Sequence, residues 1–194
     1  MQLILIRHGE TKEGRRGILL GRLPGMLTAK GKKFAGKAGR TLAGFPDPPK
    51  LVVASDLRRA QDTARIISQI VHKPLKVNPL LRERSGGNAE GKTGHQINWR
   101  KYEEKTLASR CHTGGESFRD VKKRAVAFLR KIQREKRTPI VVVSHAVVLS
   151  MLLSDLLKWS YTTALKFDFR DKIIIVDTKN KKAGAVEIPL LRSR

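Results

Sequence analysis

The sequence predicts an α/β layered domain, a three-layer α/β/α sandwich around a mostly parallel central sheet of about six strands. Two observations carry this. Short apolar runs alternate with longer segments in which apolar residues recur every three to four positions, the order that builds parallel strands joined by helices. The run Ile140-Val141-Val142-Val143 is continuously apolar and β-branched, which places it at the centre of the sheet with both faces covered. A length of 194 residues suits one domain over 1–194, and no internal repeat, low-complexity tract or linker divides it.

Each element follows from its pattern. Residues 3–6 form the first strand. Thr28 reads as the N-cap of a helix to residue 42, with Phe34, Ala38 and Leu42 spaced four apart on one face, although Gly31, Gly36 and Gly39 weaken it. Residues 51–54 form a second strand, followed at once by Ser55-Asp56 and a helix over 57–71 with the buried stripe Ala60, Ala64, Ile67 and Val71. Residues 75–77 make a short third strand. The glycine-rich, polar stretch 78–96 reads as a functional loop. Gly114-Gly115-Glu116-Ser117 introduces a helix to residue 136 that turns Phe118, Val121, Ala125, Phe128 and Ile132 inward. After Ser144-His145 comes a helix over 146–157, and residues 165–169, 172–176 and 185–188 complete the sheet as strands joined by short turns.

Composition bounds the function. Hydrophobic residues make up 40% of the chain and charged residues 30%, a globular balance that argues against wholesale disorder. The apolar runs 140–143 and 147–153 are too short to cross a bilayer. The first residues lack the basic start and long apolar stretch of a signal peptide, so the expectation is a cytoplasmic protein with no membrane insertion. Cys111 is the single cysteine, which fits a reducing compartment. The formal charge of +24 attracts polyanions. A dedicated nucleic-acid or acidic-partner surface would gather its cations on one face or interleave them with aromatics. Here they spread over 30–37, 58–59, 119–137 and 179–182 with few aromatics among them, which favours a solvated basic surface with nonspecific polyanion attraction. Oligomeric state leaves no mark on the sequence.

The chemistry sits at strand ends. Three predicted strands finish in polar groups that open a helix or loop: Arg7-His8-Gly9, Ser55-Asp56 with Arg58 and Arg59 beyond, and Ser144-His145. The carboxyl ends of strands in an open α/β sheet line one crevice, so these residues converge, with Glu83 supplied by the loop after the third strand. Two histidines, at least two arginines and a carboxylate suit a phosphate. Guanidinium groups bind its oxygens bidentately, helix N-termini offer free N–H donors, and a neutral imidazole attacks phosphorus. No cluster of His, Asp and Glu has metal-ligand spacing.

These segments resemble the histidine phosphatase superfamily (phosphoglycerate mutase-like, branch 1). Arg7-His8-Gly9-Glu10-Thr11 resembles its signature, and Leu27-Thr28 with Gly31 its first helix start. The stretch Ala54-Ser55-Asp56-Leu57-Arg58-Arg59-Ala60-Gln61-Asp62-Thr63-Ala64 is similar to its second block nearly letter for letter. Leu81-Arg82-Glu83 with Gly87, Glu90 and Gly91 resembles its acid loop, and Val143-Ser144-His145 its last catalytic strand. The likeness runs almost end to end.

The resemblance implies a phosphoglycerate mutase-like fold and hydrolysis of small phosphomonoesters without metal or cofactor. It implies His8 as the nucleophile that becomes phosphohistidine, with Arg7, Arg58 and His145 on the phosphoryl oxygens. Glu83 is implied as general acid for the leaving alkoxide and then base for water, with Thr11, Gly21 and Ala146 as further substrate contacts. Arg59 reads as a solvated helix residue. Glu90 and Glu116 compete with Glu83 for the acid role, and His112 lies close enough to the Gly115-Glu116 entry to touch substrate. Two alternatives stand beside hydrolysis. Mutase-type phosphoryl transfer needs a closing lid, for which 91–114 is short. A non-catalytic protein binding RNA or an acidic partner would have no need of a nucleophile with its acid.

Overall fold

The computed structural model describes residues 1–103 and 105–188, with the side chains of Lys101 and Glu103 outside the description. Six strands, β1 (Gln2–Arg7), β2 (Leu51–Ala54), β3 (Leu75–Val77), β4 (Ile140–Ser144), β5 (Lys172–Asp177) and β6 (Lys182–Glu187), form one sheet in the order β3-β2-β4-β1-β5-β6. The first four run parallel, while β5 is antiparallel to β1 and β6 to β5. The helices are α1 (Lys12–Arg15), α2 (Ala29–Ala43), α3 (Arg58–Val71), α4 (Trp99–Glu103), α5 (Phe118–Ile132), α6 (Ala146–Leu156) and α7 (Tyr161–Leu165).

The pleat explains why the central strands read as unbroken apolar runs. Successive side chains point to opposite faces. Ile4 and Ile6 pack with Phe34, Ala38 and Leu42 of α2 and Ala60, Ala64 and Ile67 of α3. Leu3 and Leu5 pack on the other face with Val121 and Phe128 of α5 and Leu149 and Leu152 of α6. Both layers are needed, and full burial of each such side chain stabilises by roughly 1.5–3 kcal/mol. Caps fix where the helices start. The Thr28 hydroxyl accepts from Gly31 N at 3.0 Å, and Ser117 with Asp120 forms a reciprocal capping box at α5.

The expected strand at 165–169 is not formed. Ser160 caps α7, accepting from Thr163 N at 3.1 Å, and the chain then runs irregularly through Phe167 and Phe169, whose ring centroids lie 4.9 Å apart. The apolar residues Leu165, Phe167 and Phe169 alternate as in a strand, but a helix end followed by an irregular segment packed on α6 satisfies the same pattern. Helix α5 also stops at Ile132, before the basic residues expected to extend it. None of the described helices is long and apolar enough to cross a membrane.

Candidate active site

The parallel strands bring the expected residues together. His8 N donates to the Ser144 carbonyl and Ser55 N to the Val143 carbonyl, each at 3.0 Å, so the ends of β1, β2 and β4 lie side by side. The rings of His8 and His145 consequently sit 5.1 Å apart, centroid to centroid. After β1 the chain passes α2 at very close range. A Cβ on Gly9 would collide with the Gly31 carbonyl, and one on Gly31 with the Glu10 carbonyl, so this crossing needs glycine on both sides.

The setting of His8 fixes its tautomer. Nδ1 lies 2.8 Å from the Gly9 carbonyl, an acceptor, so Nδ1 carries the hydrogen and Nε2 the lone pair. Burial, then the charges of Arg59 and Arg7, hold the ring well below the ordinary histidine pKa, so it is neutral at physiological pH. His145 is likewise held well below that value by burial and then by its cationic surroundings. Its Nε2 contacts the Ser55 hydroxyl at 2.9 Å, and its Nδ1 is buried with no hydrogen-bond partner among the described residues.

Arg59, not Arg58, occupies the site. Its residue exposure is only 2%. Nε donates to His8 Nε2 at 3.2 Å, while Nη1 and Nη2 donate to the carbonyls of Leu23 and Gly21 at 2.8 and 2.7 Å. The Arg58 side chain is 63% exposed and pairs along the helix surface with Asp62 at 3.6 Å. Helical period decides between these neighbours. Arg59 lies one turn before Thr63 and two before Ile67, on the buried side of α3, whereas Arg58 shares the outer side with Asp62 and Arg65. Burial lowers the Arg59 pKa, opposed chiefly by the nearby charge of Glu83.

A cavity of about 240 Å³ opens on His8, with Arg7, Thr11, Gly21, Arg59, Glu83 and Val147 in its wall. Thr11 caps α1, accepting from Gly14 N at 3.1 Å. Gly21 has φ +49 and no room for a Cβ beside Glu90. Val147 reaches the wall, while Ala146 takes the first position of α6, where a backbone N–H has no intrahelical acceptor.

The three candidate acids separate by partner. Glu83 lines the cavity and, among the described residues, accepts a local bond from Arg84 N, at 2.8 Å. Glu90 Oε1 braces the loop, accepting from Arg22 N, Gly86 N and the Ser85 hydroxyl. Glu116 is held by Arg124 and Arg22 and accepts from Ser85 N. Burial pushes its carboxyl up, but the Arg124 and Ser85 hydrogen bonds outweigh this and hold it below the usual carboxylate range. His112 stands away from the cavity, stacked on Tyr102 at 4.5 Å.

Comparison with known proteins agrees with this architecture. Residues 3–186 match the family model of the histidine phosphatase superfamily (branch 1). The chain is 32% identical over 165 residues to the adenosylcobalamin/alpha-ribazole phosphatase of Escherichia coli (strain K12), covering 81% of this chain and 79% of that protein. It is 33% identical over 171 residues to a probable phosphoglycerate mutase of Enterobacter sp. (strain 638), covering 81% and 75%. The mycobacterial glucosyl-3-phosphoglycerate phosphatase complexed with VO3 superposes with a TM-score of 0.80 at 26% identity, over 91% of this chain and 90% of that one. A six-stranded sheet with the expected crossovers, two facing histidines at its strand ends and a match over nearly the whole chain make this protein a member of branch 1 of the histidine phosphatase superfamily.

Proposed function

We propose that this enzyme hydrolyses phosphomonoesters in two steps through a phosphohistidine on Nε2 of His8. The observation that carries the reading is the state of the His8 ring: neutral, with Nδ1–H committed to the Gly9 carbonyl and the Nε2 lone pair facing Arg59 at the cavity. In the first step the Nε2 lone pair attacks phosphorus, the ester P–O bond breaks, and the Glu83 carboxyl proton passes to the leaving oxygen. Arg7, Arg59 and His145 meet the charge on the phosphoryl oxygens, where preorganised donors contribute most. Arg59 exchanges its contact with Nε2 for one with the incoming phosphoryl group.

His145 fits this role through Ser55. In this reading the Ser55 hydroxyl, which accepts from Leu57 N at 3.2 Å, donates its own hydrogen to His145 Nε2, 2.9 Å away. The ring hydrogen then sits on Nδ1, the atom without a partner, where a phosphoryl oxygen satisfies it. In the second step Glu83 takes a proton from water as it attacks phosphorus, the N–P bond breaks, and orthophosphate leaves a neutral His8.

Ile18, Leu19, Leu20 and Val147 give the mouth an apolar wall, which suits a small leaving group with an apolar face. Between 91 and 114 the described structure has only short turns and α4, too little for the lid that mutase-type transfer requires. The unpaired Cys111 suits a reducing, cytoplasmic setting. The test is p-nitrophenyl phosphate turnover in excess EDTA by wild type and His8→Ala. Turnover by wild type alone is expected. Equal turnover by both, or activity abolished by EDTA, overturns the reading.

A further inference from the structure

The fold brings Lys76 to the basic run after α5 at a second place, away from His8. Lys76 on β3, Lys131 in the last turn of α5, and Arg134, Lys136 and Arg137 just beyond that helix border a cleft of about 560 Å³. Its inner wall is apolar, formed by Val53, Phe128 and Ile132. Among the described residues Glu135 is the one carboxylate on the cleft, and it is already engaged by Arg137 at 2.7 Å and Lys76 at 3.1 Å. The Arg137 hydrogen bonds, with help from Lys76, hold it far below the usual carboxylate range. Lys131, Arg134 and Lys136 remain exposed, with no carboxylate partner among the described residues.

The cleft also borders an open sheet edge. Strand β3 is outermost in the sheet. Asn78 N donates inward to the Ala54 carbonyl at 2.8 Å, and the Pro74 carbonyl accepts from Val52 N at 3.0 Å. Alternation along the strand therefore turns the N–H and C=O of Leu75 and Val77 outward, and Val77 is 48% exposed. A lysine often protects such an edge, but Lys76 is drawn to Glu135.

We propose that this cleft binds an extended acidic peptide segment of a partner protein, which pairs with the free edge of β3 and sets its carboxylates against Lys131, Arg134 and Lys136. The mode is strand addition, with backbone hydrogen bonds supplying affinity and alternate side chains supplying specificity. Single-stranded nucleic acid fits less well, because bases need an exposed aromatic platform and Phe128, the aromatic of the cleft, is fully buried.

The test uses the full chain, a fluorescent peptide of alternating Glu and Val, its Lys/Val counterpart, and an oligouridylate of equal length. The expected result is binding of the acidic peptide alone, with amide shifts at Leu75 and Val77 by NMR. Raising salt from about 50 to about 300 mM weakens it. The triple variant Lys131→Glu, Arg134→Glu, Lys136→Glu weakens it by about tenfold or more, while p-nitrophenyl phosphate turnover is unchanged and reports that the variant is folded. No peptide binding, binding indifferent to the triple variant, or tighter binding of the oligouridylate overturns the proposal. The hydrolysis reading stands or falls separately, on the His8 variant.

Discussion

Nε of Arg59 donates to Nε2 of His8 over 3.2 Å, and the other two guanidinium nitrogens are fixed by the carbonyls of Gly21 and Leu23. In the proposed mechanism that ring atom attacks phosphorus, so removing the cation takes away both a positioning contact and a transition-state donor. Arg59→Ala is expected to lower kcat/KM by about 10²–10³. Arg59→Lys recovers little, since a point charge cannot reproduce the planar fork. Arg58→Ala, on the exposed face, changes kcat/KM by less than about threefold, as expected of a surface substitution. Steady-state kinetics on the three variants decides this, and matching losses for Arg58 and Arg59 would count against the assignment.

Stability should report the neutral histidines. His8 and His145 are held below the ordinary value by burial first, and His112 is shifted the same way. An unfolded imidazole takes up a proton near pH 6.5 while the folded rings do not, so the unfolded state binds more protons and stability falls as pH drops below about 6.5. Each buried ring steepens the fall toward about 1.4 kcal/mol per pH unit, until its folded pKa is reached. Urea midpoints between pH 7.5 and 5.5, above the ordinary carboxylate range, check the sign. A His145→Asn variant should give a shallower slope, and a flat wild-type profile contradicts the argument.

Glu83 and Glu90 should fail differently. Glu83→Gln removes the proton donor of the proposed mechanism, so it is expected to slow hydrolysis of alkyl phosphates by about 10²–10⁴. p-Nitrophenyl phosphate should suffer less, because its leaving group departs as a stable anion. Glu90→Gln loosens the loop held through Arg22, Ser85 and Gly86 and should affect both substrates alike. Comparing the two substrates across both variants separates acid catalysis from loop bracing.

Gly9→Ala is expected to destabilise by roughly 1–3 kcal/mol through overpacking, since its methyl would meet the Gly31 carbonyl. Activity should fall as well, because the displaced backbone carries His8. A urea denaturation curve with a kinetic assay tests both.

Much of this was legible in the sequence because strand ends and helix starts carry their own chemistry. The apolar run at Ile140-Val141-Val142-Val143 sits centrally, covered on both faces, and Thr28 caps α2. Besides the end of α5, which stops at Ile132, two stretches read differently from the structure. The stretch 165–169 alternates like a strand, yet only tertiary packing decides that its apolar residues belong to a helix end and an irregular segment. Arg58 and Arg59 are identical in type, and the resemblance assigned the phosphate contact to Arg58, whose side chain lies on the exposed face of α3 while Arg59 reaches His8. The discriminating signal was present in the period of α3, where Arg59 falls in line with Thr63 and Ile67. The bracing roles of Glu90 and Glu116, and the cleft joining Lys76 to the end of α5, depend on contacts between distant segments that no local pattern encodes.

The most direct test of the central claim is to trap the intermediate. Wild type and His8→Ala would be mixed with a radiolabelled phosphomonoester, quenched in alkali on the millisecond scale, and mapped by mass spectrometry. The account predicts an acid-labile, alkali-stable phosphoryl group on His8, formed and lost at least as fast as turnover, and none in the variant. Turnover without a labelled enzyme, or a label on any other residue, would contradict it.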